Sequence, residues 1–384
     1  MNMSPDFELR LGEALRGVAR IDKTSRGLTF SRLPEWTYLQ HAHAPIVAKM
    51  AERLSGAHLD IETAATRICV TYRSTRDSNP STKWIAGPST IAVTAGDFEQ
   101  SISHSNGDLR IYDFDEIVEV RTGEDSVAEF ELPATESVRK VQIWLPQNCP
   151  IELISIEANN DWQPASSSFQ PLWVHYGSSI SHCEDADGPL GVWPVAAARE
   201  LGLDVYNLGL GGCANLEQFA ARTIRDMPAQ LISLKLGINV VNTASMTSRT
   251  FGPAVHGFID TIRESQPTTP ILVISPVCCP AHENNPGPSE TDGNGMVKGQ
   301  EFSRHSWIGE LTLRGIREIL SELVAARAAT DPNIYYMDGL ELFNETEALT
   351  MPDGIHPDAE GYRVIARNFV ERVPRAWLSA SSQL

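Results

Sequence analysis

A serine, a histidine and an aspartate lie in two short motifs whose residue types suit acyl transfer. Ser179 lies in Tyr-Gly-Ser-Ser-Ile at residues 176–180, and Asp353 and His356 lie in Asp-Gly-Ile-His-Pro at residues 353–357. A serine hydroxyl becomes a good nucleophile when a base takes its proton and a third group orients that base. We expect His356 to be the base and Asp353 to orient it. The motifs therefore predict a Ser-His-Asp triad.

Two glycine-containing segments between these motifs could supply hydrogen-bond donors. The run at residues 204–212 ends in Gly212, and the run at residues 231–239 ends in Asn239. Acyl transfer needs donors aimed at the negative charge that develops on the carbonyl oxygen, and glycine lets a backbone N–H approach without a Cβ in the way. We expect the N–H groups of Ser179 and Gly212 and the carboxamide of Asn239 to form an oxyanion hole.

Other residues compete for these roles. Ser178 adjoins Ser179 and remains an alternative nucleophile, and His182 is a rival base that lacks an aspartate placed behind it. The thiols of Cys278 and Cys279, together with His282, could act as soft metal ligands. The preferred interpretation is that the two cysteines lie at the buried end of a strand. We predict neither a metal nor a cofactor.

The elements that must position the triad follow from the hydrophobic pattern. The apolar run at residues 172–175 predicts a strand that carries Ser179 to its C-terminal edge, where active sites of open α/β sheets lie. In all, strands are predicted near residues 172, 204, 231, 270 and 333, alternating with helices near 192, 214, 253, 306 and 359. This alternation predicts an α/β, flavodoxin-like three-layer sandwich with a parallel sheet over residues 171–384.

The first part of the chain has a different pattern. Period-two or β-branched runs indicate strands at residues 59–62, 68–72, 90–93, 141–145 and 151–156. They predict an antiparallel, jelly-roll-like β-sandwich over residues 1–160, joined to the second domain through residues 159–170. This domain could bind sugar or act as a scaffold.

The order serine, glycine, asparagine, then Asp-x-x-His resembles the four-block signature of the SGNH (GDSL-type) hydrolases over residues 170–372. The serine block of that family usually reads Gly-Asp-Ser, whereas residues 177–179 read Gly-Ser-Ser; aligning the glycines puts Ser179 in the nucleophile's place. The third block commonly ends in Gly-x-Asn-Asp, and here Val240 replaces the last residue. The two-domain layout is similar to a subgroup in which a small β-domain precedes the catalytic domain, as in several carbohydrate esterases.

The resemblance implies a serine esterase that works through an acyl-enzyme. Its substrate would be an ester of a small molecule, a sugar or a glycosylated metabolite, with a short, acetyl-like acyl group. An acyltransferase or a thioesterase could use the same triad, and a non-catalytic ligand-binding module could keep the same fold.

Composition narrows the function classes. The chain of 384 residues has a formal charge of −18, which disfavours binding to nucleic acid or to an anionic membrane surface. Residues 1–20 lack the apolar core of a secretory signal, and the six cysteines show no Cys-x-x-Cys spacing, so we predict a cytoplasmic protein with reduced thiols. The sequence leaves open whether the protein forms a homo-oligomer.

One long segment, residues 279–304, is rich in Pro, Gly, Asn and Ser and begins at the C-terminal edge of a predicted strand. A substrate-covering loop would begin there, so it is the candidate specificity loop. His282, Glu283 and Trp307 could contact substrate, although a solvated loop is the plainer interpretation of each residue.

Overall fold

A computed structural model describes residues 5–80, 84–113, 116–165, 170–292 and 295–379. The chain divides into two compact units. The first unit comprises Met1–Phe169 together with Glu184–Val192, and the second comprises Gln170–Cys183 and Trp193–Leu384. Nothing in the sequence pattern predicts that Glu184–Val192 groups with the first unit. Part of the predicted connector, residues 166–169, lies outside the described residues.

The first unit consists mainly of strands. They are β1 (Leu15–Arg16), β2 (Arg20–Lys23), β3 (Leu28–Ser31), β4 (His58–Thr63), β5 (Arg67–Asn79), β6 (Trp84–Ile85), β7 (Ser89–Ala95), β8 (Phe98–His104), β9 (Asp108–Asp113), β10 (Glu116–Arg121), β11 (Ser126–Glu131), β12 (Arg139–Trp144), β13 (Ile151–Ala158) and β14 (Trp162–Pro164). Its helices are α1 (Pro5–Ala14) and α2 (Pro45–Glu52), with 3-10 turns at Glu35–Thr37 and Pro189–Gly191.

These strands form two sheets. One has the order β1-β4-β12-β7-β8, with β14 beside β4, and the other has the order β10-β9-β5-β13-β3-β2, with β6 and β11 beside β5. Within the described residues the pairing is antiparallel except between β5 and β9. Ile61 and Val141 of the first sheet share one buried core with Val70 and Leu153 of the second, as expected for two sheets packed face to face.

The second unit alternates strands and helices. Its strands are β15 (Leu172–Gly177), β16 (Asp204–Gly209), β17 (Leu231–Lys235), β18 (Ile271–Ile274), β19 (Glu290–Thr291), β20 (Val297–Lys298) and β21 (Ile334–Met337). Its helices are α3 (Ser179–His182), α4 (Trp193–Leu201), α5 (Gln218–Arg225), α6 (Ile238–Asn242), α7 (Ser248–Arg263), α8 (Leu313–Arg327), α9 (Glu345–Ala348), α10 (Ala359–Arg372) and α11 (Ala376–Ser379), with 3-10 turns at Ser306–Ile308 and Gly339–Glu341.

A parallel sheet with the order β16-β15-β17-β18-β21 forms the centre of this unit, and this is the flavodoxin-like strand order. Successive side chains of a strand point to opposite faces. Accordingly, Trp173 of β15 stacks on Phe369 of α10 with ring centroids 4.7 Å apart, and Tyr176 packs against Phe258 of α7 at 5.0 Å. Helices therefore cover both faces, and the predicted fold class, a β-sandwich before a flavodoxin-like three-layer domain, is confirmed.

Candidate active site

Ser179 is the first residue of α3 and lies directly after the C-terminal end of β15. The preceding residue, Ser178, is the N-cap of this helix, and its Oγ accepts a hydrogen bond from the N–H of Ile180 at 3.3 Å. The turn from strand to helix passes very close to the helix, because a Cβ at Gly177 would lie 2.3 Å from the Oγ of Ser181. Glycine is therefore required where β15 delivers the serine.

The structure places His356 within hydrogen-bonding distance of both other residues of the predicted triad. The Oγ of Ser179 lies 2.8 Å from Nε2 of His356, and Nδ1 of His356 lies 2.6 Å from Oδ2 of Asp353. If Asp353 is ionised, it accepts from Nδ1–H, which leaves Nε2 unprotonated and facing the serine hydroxyl. This is the tautomer that a general base needs.

A tight turn fixes Asp353 beneath the histidine. Its second oxygen, Oδ1, accepts hydrogen bonds from the backbone N–H groups of Ile355 at 2.9 Å and His356 at 2.7 Å. Burial by itself raises the pKa of Asp353, but the hydrogen bond and charge of His356 and these two N–H groups outweigh burial and lower the pKa below its ordinary value. The carboxylate therefore stays ionised in the folded protein at neutral pH.

The side-chain amide of Asn239 has a fixed orientation. Its Oδ1 accepts from the N–H of Ala214 at 2.9 Å, and this contact fixes which end of the carboxamide is oxygen. Its Nδ2 is buried and finds no hydrogen-bond partner among the described residues. A buried donor left unpaired is costly, so the arrangement suits a group that bonds to an incoming oxygen.

Gly212 lies in a turn that is attached to the end of β15. The N–H of Leu210 donates to the carbonyl of Gly177 at 2.7 Å, and the N–H of Cys213 donates to the carbonyl of Leu210 at 3.2 Å. Gly212, the third residue of this turn, has φ of +72°, a conformation that strongly favours glycine. The turn therefore requires glycine at this position, and Gly212 is exposed to solvent.

A buried hydrogen-bonded chain supports α3, and sequence reasoning missed it. Trp173 donates its indole N–H to Oγ of Ser233 at 2.7 Å, Ser233 Oγ lies 2.6 Å from Nδ1 of His175, and Nε2 of His175 lies 2.7 Å from Oγ of Ser181. Burial and the charge of Lys235 lower the pKa of His175 to about 3. The neutral ring therefore donates a hydrogen bond at one ring nitrogen and accepts one at the other, to and from the hydroxyls of Ser233 and Ser181.

Lys235 ends β17 and is fully buried. Its Nζ has no hydrogen-bond partner in the part of the chain that the structure describes. Burial lowers its pKa to about 8, against the opposing influence of the Cys279 and Cys183 thiols. No sequence motif singles out this lysine, because it ends a mostly apolar strand.

The candidate specificity loop contacts two of the segments that carry predicted catalytic groups. The N–H of Val297 in β20 donates to the carbonyl of Asp353 at 2.9 Å, and the N–H of Ser289 donates to the carbonyl of Asn242, in the helix of Asn239, at 2.7 Å. Residues 293–294 of this loop lie outside the described residues.

The proposed substrate contacts at the start of this loop have structural partners. Glu283 forms a bidentate pair with Arg317 at 2.7 and 2.8 Å, and Nε2 of His282 lies 2.7 Å from Oγ of Ser289. Trp307, by contrast, is exposed.

The alternative base and the candidate metal-binding cysteine also form hydrogen-bonding contacts within the protein. Nδ1 of the buried His182 lies 3.2 Å from the carbonyl oxygen of Gly209, and the Sγ of Cys279 donates to the carbonyl of Ile355 at 3.4 Å. Among the described residues, no three His, Cys, Asp or Glu side chains are grouped so that they could hold a metal ion.

The sequence matches one protein-family model. The model of the GDSL-like lipase/acylhydrolase family matches residues 175–364, a segment that includes the serine, glycine, asparagine and Asp-x-x-His motifs. The chain belongs to this family. It is therefore a serine hydrolase acting on esters, an acyl esterase or acyltransferase in the broad sense. No curated protein sequence matches the chain, and none of the described helices is long and apolar enough to cross a membrane.

Solved structures extend the likeness of this GDSL-like protein to both units. The salicylyl-acyltransferase SsfX3 from a tetracycline biosynthetic pathway aligns with a TM-score of 0.74 at 24% identity, covering 92% of each chain. A putative GDSL-like lipase from Bacteroides ovatus aligns with a TM-score of 0.63 at 18% identity, covering 92% of this chain and 93% of that one. A family two carbohydrate esterase from Clostridium thermocellum aligns with a TM-score of 0.59 at 11% identity, over 94% and 99%. These similarities concern the fold.

Proposed function

We propose that the protein is a serine esterase in which Ser179 is the nucleophile, His356 the general base and Asp353 the residue that orients the base. The observation that carries the proposal is the continuous hydrogen-bonded line from Ser179 Oγ through His356 to Asp353, with distances of 2.8 and 2.6 Å. Ser178 is a weaker choice, because its buried hydroxyl caps α3.

The reaction would proceed in two steps. His356 takes the Ser179 proton while Oγ bonds to the ester carbonyl carbon, and the oxyanion accepts from the N–H groups of Ser179 and Gly212 and from Nδ2 of Asn239. The protonated His356 then donates that proton to the leaving alcohol as its C–O bond breaks. Water, deprotonated by the same histidine, attacks the acyl-enzyme and releases the acid and the free serine.

The proposed substrate carries a short, acetyl-like acyl group on a small molecule, a sugar or a glycosylated metabolite. Support comes from the shared fold with carbohydrate esterases, so the substrate class rests on analogy of fold. A second candidate is transfer of the acyl group to an acceptor alcohol, favoured by the likeness to the salicylyl-acyltransferase along 92% of both chains. The predicted cytoplasmic location suits either reaction.

Labelling with a fluorophosphonate probe tests the nucleophile. Intact mass should rise by one probe adduct in the wild type and in Ser178→Ala, and should be unchanged in Ser179→Ala. Turnover of p-nitrophenyl acetate should be lost in parallel, with the circular dichroism spectrum retained. If the adduct disappears in Ser178→Ala instead, Ser178 is the nucleophile. If the wild type neither reacts with the probe nor hydrolyses p-nitrophenyl acetate, a non-catalytic binding module is favoured.

Product analysis separates hydrolysis from transfer. With p-nitrophenyl acetate as donor, a hydrolase yields acetate whether or not an acceptor alcohol is added. An acyltransferase yields an acetylated acceptor at the expense of acetate. A thioester donor of the same acyl group, compared under identical conditions, tests the thioesterase alternative.

A further inference from the structure

The segment that carries Gly212 is held by groups outside the proposed triad. This segment, residues 210–217, links β16 to α5. The N–H of Ala214 donates to Oδ1 of Asn239 at 2.9 Å, so the segment is joined directly to the side chain of another proposed oxyanion donor. A shift of the segment would therefore disturb two donors that must converge on one oxygen.

A tyrosine and a glutamate hold the far end of this segment. Tyr176, in β15, is fully buried, and its hydroxyl accepts a hydrogen bond from the N–H of Leu216 at 3.0 Å. The same hydroxyl donates to Oε2 of Glu217 at 2.7 Å. The other carboxyl oxygen, Oε1, accepts from the N–H of Asn215 at 2.9 Å. The two side chains therefore bind two consecutive backbone N–H groups of the segment.

Leu216 has a backbone conformation that needs such support. Its φ is +61°, in the left-handed region that residues other than glycine rarely adopt. Its side chain is buried as well. A strained residue persists only when its surroundings over-determine it, and such residues cluster where the path of the backbone matters for function. The hydrogen bond from Leu216 to Tyr176 supplies part of that restraint.

The position of Tyr176 connects this restraint to the nucleophile. Tyr176 lies in β15, three residues before Ser179, so the strand that delivers the serine also holds the segment of Gly212. We propose that Tyr176 and Glu217 are positioning residues, which hold this segment so that the N–H of Gly212 is aimed at the oxyanion; this role rests on the proposed esterase function.

Tyr176→Phe tests this role, because it keeps the aromatic ring and removes only the hydroxyl. Leu216 and Glu217 each lose a hydrogen-bond partner. We expect kcat on p-nitrophenyl acetate to fall by about tenfold or more, since small misplacements of catalytic groups are costly. KM should change little, because an oxyanion hole acts more strongly on the transition state than on the bound ester.

Two further readouts separate positioning from a loss of folded protein. Each kcat is divided by the fraction of protein that a fluorophosphonate probe finally labels, because unfolded molecules lose label and rate together. Trifluoroacetone forms a tetrahedral adduct with a catalytic serine, so its affinity should weaken by the same factor as kcat/KM. An unchanged affinity for trifluoroacetone in Tyr176→Phe would overturn the link to the oxyanion hole.

A double-mutant cycle tests whether the two residues act as one unit. Glu217→Ala should lower kcat per labelled site about as much as Tyr176→Phe, and the double variant should lose little more than either, because residues that act together give non-additive losses. Glu217→Gln keeps an oxygen that can accept from the N–H of Asn215, so it should lose less than Glu217→Ala. Losses that multiply in the double variant would overturn the joint role.

Tyr336→Phe is the matched control, because it removes a tyrosine hydroxyl from β21 of the same sheet. Tyr336 donates to Oγ of Ser275 at 3.1 Å, and the variant should keep the wild-type kcat per labelled site. An equal loss in this control would overturn the specific role of Tyr176. Wild-type rates in Tyr176→Phe and Glu217→Ala would overturn it and leave the esterase function standing, whereas a wild-type protein that neither labels nor turns over would overturn both.

Discussion

Ser178 and Ser179 are neighbours in sequence, yet their hydroxyl groups have different surroundings. The Oγ of Ser178 is buried and caps α3, whereas the Oγ of Ser179 faces Nε2 of His356. Sequence motifs suffice to nominate Ser179, His356 and Asp353, because each stands in a short block with a fixed spacing. The motifs do not reveal His175 and Lys235, because both lie in apolar strands and their importance depends on which residues the sheet brings beside them.

Asn239 offers a substitution that separates donor from acceptor. In Asn239→Asp the retained Oδ1 can still accept from Ala214, but the side chain loses its donor and places a negative charge near the developing oxyanion. We expect kcat on p-nitrophenyl acetate to fall by roughly 100-fold to 1000-fold, with a smaller change in KM. Steady-state kinetics and a urea unfolding curve measure the two effects.

Asn239→Leu is the comparison, since it removes donor and acceptor together and leaves the Ala214 N–H unpaired. It should lose activity to a similar degree and lose more stability than Asn239→Asp. Full activity in both variants would remove Asn239 from the proposed oxyanion hole.

Because Lys235 is buried, we expect the stability difference between the wild type and a variant without this lysine to depend on pH. Its pKa falls from the ordinary value to about 8 on folding, so between pH 8 and about 10.4 the unfolded chain binds more protons and stability rises with pH. Below pH 8 the full penalty for burying the ammonium applies. Lys235→Met should therefore raise the free energy of unfolding at pH 7 by a few kcal/mol, on the order of the cost of an unpaired buried charge.

That stability gain should shrink as pH rises from 8 to 10, and urea unfolding of both proteins across this range measures it. A constant gain would show that the lysine does not titrate on folding. A loss of stability at pH 7 would show that Nζ is stabilised in the fold.

At the scale of elements, the strand positions near 172, 204, 231, 270 and 333 correspond to β15, β16, β17, β18 and β21. These buried runs are bounded by turn residues and are easy to recognise. The prediction of a helix near 306 was imprecise, because Ser306–Ile308 forms a 3-10 turn and α8 begins at Leu313 after its N-cap Thr312. The contacts of the loop at 279–304 depend on backbone N–H groups, which side-chain patterns do not reveal.

Val297 tests whether this loop positions the triad. Val297→Pro removes the N–H that donates to the carbonyl of Asp353, so the turn that holds His356 should lose a restraint. We expect kcat to fall by about tenfold or more, since small misplacements of catalytic groups are costly, while KM changes less. Steady-state kinetics measure both constants.

Val297→Ala keeps the N–H and is the matched control. It should retain activity close to that of the wild type. Equal losses in the two variants would assign the effect to the side chain, and no loss in either would show that the triad does not depend on this contact.

At the scale of the molecule, the sequence predicted two fold types in the correct order because the hydrophobic period changes between them. It did not predict that Glu184–Val192 groups with the first unit, because this depends on buried partners that are distant in sequence. Arg53 is one of them: it is 2% exposed and bridges Asp77 and Glu184.

Removing Arg53 should destabilise the first unit. Arg53→Met leaves two carboxylates without their shared guanidinium, and we expect the free energy of unfolding to fall by about 3–5 kcal/mol. Chemical denaturation measures the loss. Arg53→Lys keeps the charge but lacks the forked donor geometry, so it should lose less; equal losses in both would show that geometry, rather than charge, dominates.

The grouping of Glu184–Val192 with the first unit has a consequence for the order in which the chain can fold during synthesis. Gln147 needs the backbone carbonyls of Glu184 and Ala186, and Arg53 needs the carboxylate of Glu184. The ribosome makes residues 170–183, including Ser179, before these partners. The first unit therefore cannot be completed until the nucleophile has emerged, and a nascent chain stopped at residue 165 should resist proteolysis less well than one from which residue 192 has emerged.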